Sequence, residues 1–260
     1  MSEGKVTGTV KDGIARLTIN DPARRNALSE AMAHQAMAML DAILPEARVL
    51  VIAGAGDHFC SGANLSFDPG VDINQVDGGA ALLAAYGPLM RRIALCPVPV
   101  ITCVRGAAAG FGASLALGGD LILCEEKAFF ALTFRALGIV PDGGAAWLLA
   151  KAVGRVRAME MMLLGERLPA AKALQWGLVT RVYQGDALTE ATEKLATELA
   201  KGPTVALRRI RRMAWLGAEQ GFDEALALEV EYQRECVRSE DVREGLASFR
   251  EKRAPVFKGR

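Results

Sequence analysis

The chain has 260 residues, enough for one large domain or a domain with an appendage, and 51% of them are hydrophobic. Its 31 basic residues nearly balance 30 acidic ones, so the basic excess typical of nucleic-acid-binding proteins is missing. No apolar run reaches the roughly 18 residues that a membrane span requires, and the polar start lacks the apolar core of a secretory signal. The composition predicts a cytoplasmic globular protein that binds neither nucleic acid nor membrane.

The first part of the chain predicts strand, turn, strand, helix and strand. IARLTIN is the second strand, Ser29 caps a helix over EAMAHQAMAMLDAI, and ARVLVIAG (47–54) is an apolar run typical of a strand covered on both faces. Residues 54–80 are rich in Gly, Asp, Asn and Ser and predict a long loop. A loop of this length in a compact domain is either disordered or functional.

A helix over about 80–95 comes next, followed by a buried strand in CPVPVITCVRG, a short helix entered through glycines in GFGASLALGGD, and strands in DLILCEE and AFFALTF. From Val153 onward the periodicity is mainly helical. The change from strand-rich to helix-rich sequence near 195–205 predicts a core over 1–199 and a C-terminal helical region over 200–260.

The five cysteines are odd in number and form no CxxC pair, which favours buried reduced thiols over disulfides. They are Cys60, Cys96, Cys103, Cys124 and Cys236. Only two histidines occur, without HxxxH spacing, so we expect no zinc site and no other metal.

Two glycine-rich segments carry the functional signal, HFCSGANL (58–65) and RGAAAGFGASLALGGD (105–120), each just after a buried strand. Small side chains let a ligand approach the backbone, and N–H groups at a helix start are unpaired donors. Two such donors that converge suit a developing oxyanion. Close packing of a helix on a sheet explains the second segment equally well. Phosphate-binding GxGxxG and P-loop motifs and the GxSxG nucleophile motif are absent.

Together with LGIVPDGG (137–144), GRVRAMEMMLLGERLPAAKALQWGLV (154–179) and DVREGLASFREKRAPVFKG, these segments resemble the crotonase, or enoyl-CoA hydratase/isomerase, superfamily. They follow the family's order over nearly the whole chain and are most similar to the ring-1,2-epoxyphenylacetyl-CoA isomerase type. The resemblance implies an α/β fold, a spiral of ββα units with a C-terminal α-helical trimerisation region. It also implies a homotrimer or a hexamer of two trimers, an acyl-CoA substrate, and no cofactor beyond the coenzyme A of that thioester.

The resemblance assigns the two oxyanion donors to main-chain N–H groups. Ala63, which follows Ser61 and Gly62, is implied as the first donor, and Phe111, which follows Gly110, as the second. The residues that precede each donor are implied to bind substrate. Because the donors belong to the backbone, the residue after Gly110 need not itself be glycine.

The chain departs from the hydratases of the family at two positions. Ser114 and Phe134 align with the two hydratase glutamates, and neither side chain can act as a general acid or base; both are implied to line the substrate site. Asp142 remains as an ionisable group at a position where isomerase-like relatives carry an acid. An apolar pocket would raise its pKa and make it a better base. Alternatively, Asp142 is only a turn residue of the PDGG segment.

Arg24 and Arg25 lie where the family contacts the phosphates and adenosine of CoA, and a guanidinium suits phosphate geometry. Two solvated loop charges are the alternative. Lys258 is implied to reach the CoA bound by a neighbouring subunit. We expect Asp68 and Asp72 to be solvated rather than catalytic.

These observations predict an acyl-CoA isomerase that stabilises a thioester enolate in a backbone oxyanion hole and shifts a proton, in a double-bond or ring isomerisation. Two alternatives remain open. One is an enoyl-CoA hydratase or other lyase on the same scaffold, which uses an acid not yet identified. The other is a catalytically silent acyl-CoA-binding subunit, which the loss of both glutamates permits.

Overall fold

The computed structural model describes residues 4–64, 75–217 and 219–260. The strands are β1 (Lys5–Lys11), β2 (Ile14–Asn20), β3 (Val49–Gly54), β4 (Val100–Val104), β5 (Ala107–Ala109), β6 (Leu121–Glu125), β7 (Phe129–Ala131), β8 (Leu168–Pro169) and β9 (Arg181–Tyr183). The helices are α1 (Glu30–Ile43), α2 (Gly87–Ala94), α3 (Phe111–Leu117), α4 (Ala145–Leu164), α5 (Ala170–Gln175), α6 (Ala187–Ala200), α7 (Thr204–Gly217), α8 (Phe222–Val237) and α9 (Glu240–Glu251). Among the described residues, none of the helices has the length and apolar character to cross a membrane.

The larger sheet has the strand order β1-β2-β3-β4-β6-β9, with β1 antiparallel to β2 and the other pairs parallel. Its strand β3 is apolar on both faces, as predicted, because both faces are covered. Leu50 and Ile52 belong to the same buried cluster as residues of α1, whereas Val49 and Val51 belong to the cluster that contains residues of α6. Successive side chains of a strand point to opposite faces, so a continuous apolar run fills both layers.

A second, smaller sheet has the order β5-β7-β8. The chain twice leaves the large sheet, adds a strand to the small sheet and enters a helix. The first such unit is β4-β5-α3, and the second is β6-β7-α4, with a 3₁₀ turn at Thr133–Leu137. The predicted spiral of ββα units with C-terminal helices is therefore confirmed.

Two helix boundaries test the sequence interpretation. The side chain of Ser29 accepts a hydrogen bond from the N–H of Met32 at 3.2 Å, which confirms the predicted cap of α1. Helix α4 begins at Ala145, eight residues before the helical periodicity was expected to begin at Val153. It bends at Gly154, where φ is 79° and ψ is 158°. This break separates two short helical segments, so the first one shows too little periodicity to be recognised.

The C-terminal part of the chain forms α7, α8 and α9. Arg211 of α7 ties this part to the core, because its buried guanidinium donates to the carboxylate of Asp120 at 2.6 Å. It also donates to the carbonyl oxygens of Ile93 and Ala94 at the end of α2 and of Cys96 just after it. The C-terminus of a helix carries partial negative charge, so a cation is favourable at this end of α2. The division at residue 199 stays a prediction.

Candidate active site

The first glycine-rich segment is held by a buried asparagine that the sequence interpretation missed. The side-chain amide of Asn26 donates to the carbonyl oxygens of Ala55 at 2.9 Å and His58 at 2.6 Å. Its side-chain oxygen accepts from the N–H of Asp21 at 2.9 Å. Asn26 is fully buried and has a φ of 59°. It therefore joins the loop before α1 to the turn after β3, from which the segment leaves.

The main chain of Leu28 sets the direction of the Ala63 N–H. The Leu28 N–H donates to the Gly62 carbonyl and the Leu28 carbonyl accepts from the Asn64 N–H, each at 2.8 Å. N–H groups alternate in direction along an extended segment, so the intervening N–H of Ala63 points away from Leu28. It donates to no backbone group of the described chain. The hydroxyl of Tyr86 also donates to the Leu28 carbonyl, at 2.8 Å, and reinforces this arrangement.

The second segment presents Phe111 as the first residue of α3. The preceding Gly110 has φ 51° and ψ −129°, a conformation that residues with a Cβ rarely adopt. The Gly110 N–H donates to the Ala131 carbonyl at 2.9 Å, whereas the Phe111 N–H has no backbone partner among the described residues. A Cβ added to Gly62 would lie 3.6 Å from the Phe111 nitrogen and 3.0 Å from the Ala109 oxygen. The two segments thus meet through residues without side chains, and both predicted donors border this contact.

The carboxyl group of Asp142 is the ionisable group at this site. Its Oδ1 is buried and has no hydrogen-bond partner within the described part of the chain. Burial raises the pKa of Asp142 from 3.8 to about 6, against a smaller opposing effect of its own backbone N–H. The predicted rise of the pKa therefore agrees with the structure. A carboxylate of this kind is mostly ionised at neutral pH and more basic than a solvated one.

The turn that carries Asp142 packs directly against α3. The hydroxyl of Ser114 donates to the Asp142 carbonyl at 2.8 Å, and the Ala145 N–H donates to the same oxygen at 3.0 Å. A Cβ on Gly143, which has φ 59°, would lie 2.7 Å from the Cβ of Ser114 and 3.0 Å from the ring of Phe111. Asp142 is thus both a turn residue and a partly buried acid, so the two sequence interpretations are compatible.

Aromatic side chains surround the contact between the two segments. The rings of Tyr86 and Phe111 lie 4.8 Å apart between centroids. The Cζ of Phe134 would lie 4.0 Å from a Cβ on Gly110. Burial, with a smaller contribution from nearby negative charges that include Asp142, raises the pKa of Tyr86 to about 12. Tyr86 is therefore neutral at physiological pH, and with Phe134 it gives the site an apolar character.

Two of the predicted CoA-binding residues, Arg24 and Arg25, contact the first glycine-rich segment through their backbone carbonyl groups. Ser61 donates its N–H to the Arg25 carbonyl at 3.0 Å and its hydroxyl to the Arg24 carbonyl at 3.1 Å. The Arg24 guanidinium pairs with Asp21 at 2.9 Å, and Arg25 is exposed. Lys258 lies instead with α9, where its main-chain N–H donates to a carboxylate at 2.7 Å. Its contact with the CoA of a neighbouring subunit stays a prediction.

All five cysteines are free thiols, three of them buried. Burial raises the pKa of the Cys60 thiol to about 12, so this residue of the first segment is a protonated packing group rather than a nucleophile. Within residues 4–64, 75–217 and 219–260, no group of three or more His, Cys, Asp or Glu side chains could hold a metal ion. Asp68 and Asp72 lie outside the described residues.

Comparison with known proteins identifies the family to which this site belongs. The enoyl-CoA hydratase/isomerase family model matches residues 9–260. The chain belongs to the enoyl-CoA hydratase/isomerase family. In this chain the two glycine-rich segments contact each other, and the PDGG turn packs against the helix that follows the second one.

Individual relatives within the enoyl-CoA hydratase/isomerase family carry different names. The chain is 40% identical over 255 residues to the 1,2-epoxyphenylacetyl-CoA isomerase of Escherichia coli K12, covering 96% of this chain and 97% of that one. It is 36% identical over the full length of both chains to a Rhodobacter capsulatus protein named "Probable enoyl-CoA hydratase". A solved enoyl-CoA hydratase from Bacillus anthracis superposes with a TM-score of 0.91 at 28% identity, covering 98% and 100% of the two chains. The predicted family and fold are confirmed, whereas the names leave the reaction open.

Proposed function

We propose that this member of the enoyl-CoA hydratase/isomerase family is an acyl-CoA isomerase whose base is Asp142. One observation carries the proposal: the site contains the partly buried carboxyl group of Asp142, whose Oδ1 is buried without a hydrogen-bond partner in the described chain and whose pKa is raised to about 6. The resemblance to the family implies that Ser114 and Phe134 stand where its hydratases carry glutamates. A lone base suits a reaction in which the proton that is removed is also returned.

The backbone donors supply the electrostatic part of the mechanism. The thioester oxygen accepts hydrogen bonds from the N–H groups of Ala63 and Phe111, which have no backbone partners within the described chain. These bonds strengthen as negative charge moves onto the oxygen during enolate formation. One donor of this kind is typically worth about 2.7–4 kcal/mol of the barrier.

The carboxylate of Asp142 supplies the proton transfer. With a 3-enoyl thioester, it removes a proton from C2, and the electron pair of that C–H bond becomes part of a dienolate. The protonated carboxyl group then returns the proton to C4, and the double bond moves from C3–C4 to C2–C3. Composition and oxidation state are unchanged. The partial burial of Asp142 supports this role, because a poorly solvated carboxylate is a stronger base.

Binding of the CoA part is the second element of the proposal. The exposed side chain of Arg25 and the partly engaged guanidinium of Arg24 lie on the loop whose carbonyls hold Ser61. Guanidinium groups suit phosphate oxygens in charge and geometry. This position supports binding of the CoA phosphates next to the first donor, with the acyl chain directed toward Asp142.

Two substrates distinguish the proposal from its alternatives. The purified protein is incubated with a 3-enoyl-CoA and, separately, with crotonyl-CoA, and products are separated by chromatography. We expect conversion of the 3-enoyl thioester to its 2-enoyl isomer and only slow hydration of crotonyl-CoA. Hydration at roughly 10–10³ per second, typical of a good enzyme, would instead support a hydratase, as the name of the 36%-identical relative suggests. Binding of both thioesters without turnover would support a silent binding subunit.

A further inference from the structure

The position that aligns with a hydratase glutamate holds a buried hydroxyl whose hydrogen bond reaches the turn of Asp142. We propose that Ser114 is a positioning residue: its hydroxyl fixes the turn that carries the base, so that the Asp142 carboxylate faces the two backbone donors. This inference rests on the proposed isomerase function. It gives the serine a role of its own, rather than that of a lost catalytic acid.

The geometry around the Asp142 carbonyl carries the inference. Ser114 is fully buried, and its Oγ lies 2.8 Å from this oxygen. The Ala145 N–H donates to the same oxygen at 3.0 Å. The carbonyl is therefore held by α3 on one side and by the start of α4 on the other. Because the carbonyl and the side chain share one Cα, fixing the carbonyl also fixes the origin of the carboxylate.

The size of Ser114 matters as much as its hydroxyl group. Gly143 lies so close that a Cβ on it would come within 2.7 Å of the Ser114 Cβ. A glutamate side chain at position 114 has three more heavy atoms than serine and has to enter the space occupied by this turn. It also places a second negative charge beside Asp142. Restoring the hydratase glutamate therefore displaces the base rather than adding a second catalytic group.

The test uses substitutions of graded hydrogen-bonding strength in the full-length protein. Ser114→Ala removes the hydroxyl, and Ser114→Cys keeps a side chain of similar size with a weak donor. Thr102→Val is the matched control, because Thr102 is equally buried and donates to the Ala116 carbonyl of the same helix at 2.9 Å. For each variant, kcat and KM for 3-enoyl-CoA isomerisation are measured, together with hydrogen–deuterium exchange of the Asp142–Ala145 turn by mass spectrometry.

We expect Ser114→Ala to lower kcat by about ten- to a hundred-fold, the scale on which small misplacements of a reacting group act, with little change in KM. Ser114→Cys should fall between this variant and wild type. Exchange at the turn should become faster in Ser114→Ala and stay at the wild-type rate in Thr102→Val, which should also keep its kcat. Ser114→Glu should lose isomerase activity without gaining hydration of crotonyl-CoA.

Separate outcomes distinguish failure of this inference from failure of the proposed function. If wild type isomerises the thioester and Ser114→Ala retains its kcat, the positioning role is wrong while the isomerase function stands. An equal fall of kcat in Thr102→Val would likewise refute the role, since loss of any buried hydroxyl would then have the same effect. If wild type does not isomerise 3-enoyl-CoA at all, the proposed function is wrong, and the positioning role fails with it.

Discussion

Substitution of Gly110 by alanine should weaken the oxyanion hole and leave the rest of the site unchanged. Gly110 has φ 51° and ψ −129°, and its peptide bond to Phe111 carries the second donor N–H. A Cβ at this position meets no close neighbour: the nearest atoms are the Gly62 Cα at 3.7 Å and the Phe134 Cζ at 4.0 Å, which are ordinary contacts. The effect of the methyl group is therefore conformational strain and not a collision.

The magnitude follows from how that strain is relieved. A residue with a Cβ in such a sparsely populated region costs about 1–3 kcal/mol. Rotation of the peptide between Gly110 and Phe111 relieves the strain and turns the donor N–H away from the thioester oxygen. Loss of one oxyanion donor typically lowers kcat by about 10²–10³-fold. We therefore expect Gly110→Ala to reduce kcat for isomerisation by this factor, with a modest fall in thermal stability.

The assay compares kcat and Tm for wild type, Gly110→Ala and a control, Gly154→Ala. Gly154 has φ 79° and ψ 158°, with no atom within 4 Å of an added Cβ. It lies at the bend of α4, so its substitution should cost stability while kcat stays near wild type. A wild-type kcat in Gly110→Ala, or equal losses of kcat in both variants, would refute the assignment of the Phe111 N–H as an oxyanion donor.

Three further results are expected. The kcat/KM for isomerisation should rise with pH through about 6 and then level, because the base must be ionised; a flat profile from pH 5 to 8 would contradict this. The folded-state pKa of Asp142 is raised from 3.8 to about 6, so ionisation of this carboxyl group lowers the stability of the wild type as pH rises from about 4 to about 6. Asp142→Asn avoids this loss. Its Tm should therefore exceed that of the wild type at pH 8, and by less at pH 5. Light scattering should show a homotrimer or hexamer, because α8 and α9 expose large apolar side chains such as Phe222 (78%) and Phe249 (85%); a 27.7-kDa particle would exclude it.

The two glycine-rich segments of this site were predictable from the sequence, because each depends on residues that are close together in the chain. A buried strand followed by small residues identified both segments, at Gly62 and at Gly110, because the absence of side chains is visible in the sequence itself. Asp142 differs, because the PDGG pattern alone predicts a turn residue, and the resemblance to the family is what implies a functional acid at Asp142. Its raised pKa was predictable in direction, since apolar residues dominate the neighbouring segments.

Long-range contacts account for what the sequence did not indicate. Tyr86 contacts the carbonyl of Leu28, 58 positions away, and Asn26 contacts that of His58, 32 positions away. Each is a single polar residue without a repeating pattern, so only the folded chain shows that it supports a donor segment. The Ser114 hydrogen bond is of the same kind, because only the folded chain shows that this hydroxyl donates to the carbonyl of Asp142, 28 positions away.

The most direct test of the account is kcat for 3-enoyl-CoA isomerisation by wild type and Asp142→Asn, with Kd for the acyl-CoA measured by calorimetry. The amide keeps the size and turn compatibility of the carboxylate but cannot accept the proton. We expect kcat to fall by about 10²–10⁴-fold, toward the upper end for a sole proton shuttle, with a nearly unchanged Kd. An unchanged kcat in Asp142→Asn would contradict the central claim and remove Asp142 from the mechanism.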